Sequence, residues 1–368
     1  MQLCAICDSA NGKRFPHGTC HICKGDAQKT EKMVEEASRL LAADGAKSFS
    51  ISTLIPKDWL SREEKAWDIS LKGAESVKNL LNRTISSALA KKAKAEYLPE
   101  GECRVVFDYS SGAVKLERSA LFVFGRYKKI SAGLSQSRWK CSKCDAKGCH
   151  SCEGKGKLYE SVEERIGEPF KKASQSSDYT LHASGREDVD ATNSAGRPFV
   201  LEITNPKTRS LDLDAIAREI ADKGDASVSD LHIVPRSFVE VVTESHFDKS
   251  YKADIEADGP LDNAAIGRIR SIEGKMLLQK TPTRVAHRRA DLVRHRRVKR
   301  LEVQSAEGRN ATLIIKAEAG TYIKELISGD GGRTEPNISA AIGMKAVCKK
   351  LEVTEIEDGF LDLCLKSL

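Results

Sequence analysis

GREDVDATNSAGRPF, residues 185–199, sets three acids and two arginines around a predicted turn. Before this stretch, Tyr179, Leu181 and Ala183 alternate with polar residues as in a β-strand, and residues 198–204 have the composition of a second strand. The stretch is therefore predicted to form the bend of a hairpin. Because a turn needs only Gly and Asn, the extra charge marks its tip as a candidate functional site.

The sequence around this hairpin alternates helical and strand patterns, which predicts an α+β fold with a mixed sheet. Residues 1–130 begin with a short Cys-rich segment, and helix and strand patterns follow, so we predict a small accessory domain there. Residues 131–157 lose apolar periodicity and are rich in Gly, Ser, Lys and Cys, which predicts a linker organised by metal. Residues 158–368 are predicted to form the larger domain that contains the hairpin.

Apolar spacing places several elements within these domains. One long helix is predicted to begin near Ser61 and to continue past Leu81. Residues 230–242 have the pattern of a strand. Two further strands, at about 293–304 and 310–317, flank a Gly-containing turn signal and predict a second hairpin.

The composition limits the class of protein. Charged residues make up 31% of the 368 residues and aromatic residues only 5%. No run of about 18 apolar residues exists, which argues against a transmembrane helix and a membrane partner. No apolar signal core follows the start of the chain, so we expect a cytoplasmic protein.

The positive charge is concentrated in residues 280–300, which hold nine Lys or Arg and one acid. This segment carries a net charge of +8 against +7 for the whole chain, so the remainder is close to neutral. Arginine suits phosphate because its planar fork binds two oxygens at once. The segment therefore predicts contact with nucleic acid, the alternative being a merely solvated run of charge. Since few aromatic residues are present for stacking, a folded RNA is the expected partner.

Apolar residues interleave with these charges. We expect four of them to anchor the basic segment to the protein: Val285, Leu292, Val293 and Val298.

The cysteines form four Cys-x-x-Cys pairs, a spacing that lets two thiolates reach one tetrahedral ion from a tight turn. The first two pairs lie twelve residues apart, as in a zinc ribbon, and the last two form a tighter cluster rich in Gly. Disulfides or redox chemistry are the alternatives, and a cytoplasmic setting with four similar pairs argues against both. We predict one structural zinc site and a second possible one, with these ligands: Cys4, Cys7, Cys20 and Cys23; Cys141, Cys144, Cys149 and Cys152.

Four stretches together resemble one enzyme family. They are GREDVD, GRPFVLEITNP, KTPTRVAHRR and AGTYIKELISGDGGRTEPNIS. They closely resemble the archaeal and eukaryotic tRNA pseudouridine synthases of the TΨC arm, whose archaeal members act at uridines 54 and 55. The resemblance covers nearly the whole chain. It implies a zinc-bearing, THUMP-containing accessory domain, and a pseudouridine synthase catalytic domain after a Cys-Gly-rich insert.

The resemblance also implies a catalytic aspartate. Related synthases carry Gly-Arg-Thr-Asp, and the Gly-Arg-Glu-Asp of this chain matches it residue by residue, which assigns the role to Asp188. Asp190 and Glu187 are the alternatives. A carboxylate can act as nucleophile or base and then leave, so the isomerisation requires no organic cofactor. Arg186 is expected to hold the phosphate of the flipped nucleotide.

A second motif supplies the other expected site residues. Tyr322 matches the family's active-site tyrosine, which packs on the uracil. Lys324 matches a basic residue that pairs with the catalytic aspartate, although other branches use Arg there. Ile323 and Leu326 are expected to wall the pocket, and Arg333 to contribute a further phosphate contact.

The basic segment resembles the loop that grips RNA in this family, so Arg284, Arg288 and Arg289 are expected to contact the substrate. The expected partner is tRNA, held at its TΨC arm by the catalytic domain and near its acceptor region by the accessory domain. No protein partner can be predicted.

Two other function classes are the alternatives. A THUMP-bearing methyltransferase or thiouridine synthase would show a Gly-rich cofactor loop or a nucleotide-binding loop, and the sequence contains neither. A non-catalytic zinc RNA-binding protein would not require Asp188, Tyr322 and Lys324 together.

Overall fold

The computed structural model describes residues 1–12, 15–68, 75–288 and 290–368. These residues form two compact units. The first comprises Met1–Ala120 with Thr204–Lys207, and the second comprises Leu121–Ile203 with Thr208–Leu368. The boundary therefore lies after Ala120 and not near residue 130, because residues 121–129 form a strand of the larger sheet.

The first unit packs helices against a small sheet. Its helices are α1 (Ala5–Ala10), α2 (Thr30–Asp44), α3 (Lys57–Trp67) and α4 (Val77–Ala93). Its strands are β1 (Ser48–Leu54), β2 (Glu96–Tyr97), β3 (Cys103–Asp108) and β4 (Ala113–Arg118), in the order β2-β1-β3-β4. The strand β1 runs parallel to β2 and β3, and β4 is antiparallel to β3.

The helix α2 shows why this unit folds. Its buried residues, Met33, Val34, Ala37 and Leu41, recur at helical spacing and form one apolar stripe. The helix ends at Gly45, whose φ of 78° suits the left-handed turn that terminates helices. Burial of this stripe, together with that of α4, forms the core of the first unit.

The second unit is built on a large mixed sheet. Its helices are α5 (Val162–Ser174), α6 (Leu213–Ala221), α7 (Phe238–Glu244), α8 (Asn263–Arg270), α9 (Ile323–Ser328), α10 (Ile338–Ile342) and α11 (Gly359–Lys366). Its strands are β5 (Leu121–Lys129), β6 (Asp178–Ala183), β7 (Thr192–Thr204), β8 (Ala226–Val234), β9 (Lys249–Ala257), β10 (Met276–Lys280), β11 (Val293–Glu307), β12 (Asn310–Ala317), β13 (Thr334–Glu335) and β14 (Ala346–Ile356).

In the part of the chain that the structure describes, ten strands join in one sheet of order β13-β10-β11-β12-β9-β14-β7-β5-β8, with β6 paired to β7. Most neighbours are antiparallel, and β14 meets β7 in parallel at Glu352 and Thr192. The predicted α+β class with a mixed sheet is confirmed.

Both predicted hairpins are present. The strands β6 and β7 pair around the acidic stretch, and β7 starts at Thr192, earlier than expected. The strands β11 and β12 pair through Glu307 and Asn310 around a two-residue turn that contains Gly308. Gly308 has a φ of 57°, which is why glycine suits this turn.

Two predicted elements are wrong. The long helix expected past Leu81 is two helices, because Ser76 caps a new one by accepting a hydrogen bond from the Asn79 amide at 3.1 Å. Residues 69–74, which lie between the two, are outside the described residues. The strand expected at residues 230–242 ends at Val234, and α7 follows from Phe238.

None of the described helices combines the length and the apolar content needed to cross a membrane.

Candidate active site

The loop of residues 184–191 joins β6 to β7 and begins at a glycine that the local backbone requires. Gly185 has a φ of 75°, and a Cβ added there would lie 3.2 Å from Nη1 of Arg197. Its carbonyl accepts a hydrogen bond from Nε2 of Gln136 at 2.9 Å. The loop therefore starts from a close-packed, hydrogen-bonded position.

Glu187 and Arg197 form a buried ion pair beneath the loop. Nε of Arg197 lies 2.6 Å from Oε2 of Glu187, and the two side chains are 2% and 1% exposed. The Tyr127 hydroxyl donates to Oε1 of Glu187 at 2.7 Å. Burial, and next the charge of Glu187, raises the pKa of Tyr127 well above its ordinary value, so this hydroxyl remains a donor. Both oxygens of Glu187 are therefore engaged in contacts that hold the hairpin in place.

Lys129, at the end of β5, holds the main chain of the same loop. Its Nζ donates to the carbonyls of Asp188 at 2.9 Å and Val189 at 2.8 Å. Burial lowers the pKa of Lys129 to about 8, although neighbouring acids, Glu187 foremost, oppose this shift. The loop is therefore fixed through its backbone as well as through Glu187.

Asp188 points its carboxylate towards two cations from other parts of the chain. Nη1 of Arg284 donates to Oδ1 at 2.6 Å, and Nζ of Lys324 lies 3.4 Å from Oδ2. The Asp188 side chain is 29% exposed, against 1% for its neighbour Glu187. Glu187 is therefore sealed, whereas Asp188 and Asp190 are both accessible and charge-paired. Asp188 contacts both Arg284 and Lys324.

Lys324 is shared between two carboxylates. Its shorter contact is to Oδ1 of Asp190, at 2.6 Å. Burial would raise the pKa of Asp190, but the hydrogen bond and the charge of Lys324 outweigh it and hold that pKa below its usual range. The expected pairing of Lys324 with Asp188 is present as the longer of its two contacts.

Arg284 is the closer partner of Asp188, and a buried acid positions it. Nε of Arg284 donates to Oε1 of Glu325 at 2.7 Å, and Glu325 is buried in α9. Burial would lower the pKa of Arg284, but Glu325 outweighs it and raises that pKa, so the guanidinium keeps its charge. The sequence predicted an RNA contact for Arg284, whereas here its planar fork bridges two carboxylates.

Tyr322 lies at the residue before α9, next to these charges, and one side chain binds both its main-chain amide and its carbonyl. The Gln279 amide donates to the Tyr322 carbonyl at 3.0 Å and accepts from the Tyr322 amide at 2.9 Å. Gln279 is fully buried. The guanidinium of Arg294 lies 5.6 Å from the centre of the Tyr322 ring. The backbone that carries the ring is therefore held in place.

These groups meet at a cavity of about 800 Å³, within the range of small-molecule and nucleotide sites. Asp188, Tyr322, Lys324 and Ile323 all line it. Leu326 does not, because it packs fully buried on the inner face of α9. The structure thus brings the three predicted catalytic residues together from two distant segments.

The expected substrate contacts have different outcomes. Arg186 lines the cavity, and its guanidinium lies 4.5 Å from the centre of the Trp139 ring. Arg333 does not line the cavity. Its Nε and Nη2 atoms donate to the Thr281 carbonyl at 3.0 and 2.9 Å, so it holds the main chain of the basic segment. Arg289 is outside the described residues, as is the side chain of Arg288.

Of the four expected anchors of the basic segment, two are buried and two are exposed. Val285 and Val298 are buried as expected. Leu292 and Val293 are more than half exposed, at 54% and 53%. The error arises because these two residues lie where β11 begins at the edge of its pairing with β10, before the core covers the strand.

Each group of four cysteines has the geometry of a tetrahedral metal site. Within each group the Sγ atoms all lie within 4.8 Å of one another. The Sγ atoms of Cys4 and Cys23 are 3.6 Å apart, and those of Cys144 and Cys152 are 3.8 Å apart. A zinc ion bonded to sulfur at 2.3 Å requires an edge of about 3.8 Å, whereas a disulfide requires about 2.05 Å. Each group therefore fits one ion of its own, and neither group contains a disulfide.

Several residues of the site were missed by the sequence analysis. The burial of Lys129 could have been predicted, because side chains at every second position of a strand share a face. Lys129 lies on the same face of β5 as the buried Val123 and Tyr127. The roles of Glu325 and Gln279 could not have been predicted from local pattern, because their partners lie in distant segments of the sequence. Lys249 also lines the cavity, and burial, with the charge of Arg197, lowers its pKa to about 8.

Comparison with known proteins identifies the family. Residues 122–357 match the family model described as "Pus10, C-terminal". The tRNA pseudouridine synthase Pus10 of Korarchaeum cryptofilum is 35% identical over 92% of this chain and 93% of its own length. The proteins of the same name from Methanothrix thermoacetophila and Archaeoglobus fulgidus are 36% and 34% identical, over 92% and 97% of this chain and 76% and 100% of their own lengths.

A solved Cbf5-Nop10-Gar1 complex is also similar, with a TM-score of 0.31 and 21% identity over 51% of this chain and 43% of that one. Such a likeness carries no argument by itself. The family model and the archaeal relatives do, and they show that this chain belongs to the Pus10 family of pseudouridine synthases.

Proposed function

We propose that this chain converts uridines 54 and 55 in the TΨC loop of tRNA into pseudouridine, with Asp188 as the catalytic carboxylate. The observation that carries the proposal is the meeting of Asp188, Tyr322 and Lys324 at one cavity, although Asp188 lies more than one hundred residues before the other two. The relatives are named as tRNA pseudouridine synthases, which supports tRNA as the substrate.

The reaction breaks the glycosidic bond, turns the uracil and rejoins it through carbon five, so atoms are conserved and no organic cofactor is needed. Asp188 forms the covalent adduct and later leaves, acting on the ribose or on the base. Arg284 and Lys324 orient its carboxylate, and the buried network of Glu187, Arg197 and Lys129 fixes the loop that carries it.

Tyr322 packs on the uracil and takes part in moving the carbon-five proton. Its main chain is fixed by Gln279, so the ring can be presented without reorganisation. Ile323 is buried beside it and supplies an apolar wall that excludes water from the intermediate.

The target uridine must leave a folded arm, which costs a few kcal/mol. The basic segment offsets this cost through phosphate contacts, with Arg296 and Arg297 partly exposed along β11. The first unit, which resembles a THUMP-containing domain, binds near the acceptor region. Zinc occupies both cysteine sites as a structural ion, and the expected location is the cytoplasm.

The test is a matched pair of variants assayed on an unmodified tRNA transcript. Asp188→Asn removes the ionisable group with little change of shape, and we expect no pseudouridine and unchanged tRNA affinity. Asp190→Asn changes an acid of the same loop that is 71% exposed, and we expect activity to persist. Pseudouridine mapping and a binding titration give both readouts. Turnover by Asp188→Asn would remove Asp188 from the mechanism.

A further inference from the structure

A Cys-rich knuckle, residues 140–157, belongs to the second unit and is closed at its base by an antiparallel bridge between Lys140 and Lys157. Trp139 lies just before this base and Tyr159 just after it. Their ring centres are 6.4 Å apart, at 74° to each other, an edge-to-face contact. Closing the knuckle around a metal therefore sets two aromatic rings side by side.

This aromatic pair belongs to the wall of the catalytic cavity. Trp139, Tyr159 and Arg186 all line it together with Asp188. The Arg186 guanidinium lies 4.5 Å from the centre of the Trp139 ring, a cation–π contact. Arg186 also precedes Asp188 by only two residues, so Trp139, next to the base of the knuckle, contacts the loop that carries Asp188. Tyr159 is 40% exposed, so its ring is accessible to a ligand.

We propose that Trp139, Tyr159 and Arg186 form a stacking platform for the base of a nucleotide that flanks the target uridine. The proposal rests on the function proposed above and identifies how the RNA is held there. Flipping a uridine leaves its neighbours without a stacking partner, and an aromatic face accepts any of the four bases. The knuckle, which does no chemistry itself, would hold this platform against the cavity.

The surroundings of the platform suit a strand of RNA. A second groove of about 500 Å³ also includes Trp139, and its charged lining residues are four cations and three acids: Arg138, Lys140, Lys155 and Lys157; Glu163, Glu164 and Asp178. The knuckle as a whole carries five lysines against two acids. A single strand whose base stacks at Trp139 would thus find the lysines of the knuckle next to it.

The test measures binding without turnover, in the full chain carrying Asp188→Asn. The probe is an unmodified tRNA transcript, titrated at several salt concentrations. Trp139→Ala and Tyr159→Ala are each expected to weaken binding by at least about fivefold, the lower end of the range for a stacked base. Trp139→Phe keeps an aromatic face and should retain affinity. Phe360→Ala is the matched control, because Phe360 is 58% exposed on α11 and does not line the cavity.

The salt dependence of the dissociation constant distinguishes a loss of stacking from a disruption of the whole knuckle. Stacking exchanges no counterions, so the plots of log Kd against log salt for Trp139→Ala and the parent should be parallel. Loss of the lysine-bearing knuckle would instead lower the slope. Zinc content per chain checks that the knuckle is intact, and if Trp139→Ala loses zinc, Tyr159→Ala carries the same comparison.

A fluorescent base gives a direct readout. 2-Aminopurine placed next to the target uridine should be quenched on binding to the parent, and less so by Trp139→Ala. Unchanged affinity and quenching in both alanine variants, or a reduced salt slope, would overturn the platform. Absence of pseudouridine with intact Asp188 would overturn the proposed function alone, since the binding comparison requires no turnover.

Discussion

Glu187 and Asp188 are neighbours in the sequence, yet their carboxyl groups have opposite surroundings. Glu187 is sealed against Arg197, while Asp188 faces the cavity and two cations. The motif alone could assign Asp188, because the match to Gly-Arg-Thr-Asp depends only on order along the chain. It could not show that Glu187 is structural, since that depends on the packing of β7 beside the loop.

Arg284 provides the sharpest test at the residue scale. Its fork bridges Asp188 and Glu325 through separate nitrogens, and a lysine keeps the charge but lacks the planar fork that fits both carboxylates. We expect Arg284→Lys to lower the single-turnover rate of pseudouridine formation at saturating tRNA by about tenfold or more, a loss of roughly 1.4 kcal/mol of transition-state stabilisation. The dissociation constant for tRNA should change little.

The matched control is Arg300→Lys, the same change at an exposed arginine of the basic segment that pairs with Glu302. It should leave the rate at the parental value. If Arg284 instead held a phosphate, Arg284→Lys would raise the dissociation constant and spare the rate at saturation, which contradicts its role as a positioning residue.

Lys129 gives a test through pH. Burial lowers its pKa from 10.5 to about 8, so between these values the unfolded chain holds a proton that the folded protein has lost. The contribution of Lys129 to the free energy of unfolding should therefore rise with pH from about 8 to about 10.5, by about 1 kcal/mol per pH unit, and be constant below pH 8. Urea unfolding of the parent and of Lys129→Met, at pH 7 to 10, measures this difference.

The other titrating groups are the same in the parent and in Lys129→Met, so their contributions cancel in the difference between the two free energies of unfolding. Lys223→Met, at an exposed lysine beyond α6, reports the general effect of removing a positive charge. A difference for Lys129 that is flat or falls with pH would mean that this lysine stays charged in the folded protein.

At the scale of elements, the sequence predicted what local spacing determines. The strand β12 lies at residues 310–317 as predicted, because burial on one face leaves a regular apolar pattern. The break before α4 was missed because it depends on one capping serine, Ser76. The strand order could not be predicted, since pairs such as β14 with β7 join residues far apart in the sequence, Glu352 with Thr192.

The knuckle is an element whose stability can be tested through its glycines. Gly156 has a φ of 69°, and a Cβ there would lie 2.4 Å from the Ala146 carbonyl oxygen. Gly154 has a similar φ of 77°, but a Cβ there would meet nothing within 4 Å. Both alanine substitutions impose the left-handed backbone cost of roughly 1–2 kcal/mol, and only Gly156→Ala adds a clash with the main chain.

We therefore expect Gly156→Ala to lose zinc from the second site, and Gly154→Ala to retain it. Elemental analysis of the purified chains gives the metal content directly, two ions per chain for the parent and one for Gly156→Ala. Equal zinc in both variants would show that the knuckle tolerates displacement of residue 146.

At the scale of the whole molecule, the two cysteine sites have different roles in their own units. Cys4, Cys7, Cys20 and Cys23 are all buried within the core of the first unit, together with Leu3 and Ile22. In the knuckle, Cys144 and Cys149 are only half-buried. An ion in the first site is therefore part of a hydrophobic core, while an ion in the second holds a surface element.

Because the thiolates of the first site are all buried in a core and those of the second are partly exposed, the two ions should leave in order when a chelator is added. We expect the knuckle to release zinc first with little change in the helical circular dichroism signal. The second phase should be slower and accompany loss of signal from α2 and α4. Cys149→Ser should remove the first phase and Cys7→Ser the second, as followed with a colorimetric zinc indicator. Release of both ions in one phase, or a fast phase that survives Cys149→Ser, would mean that the accessibility of the thiolates does not control the loss of metal.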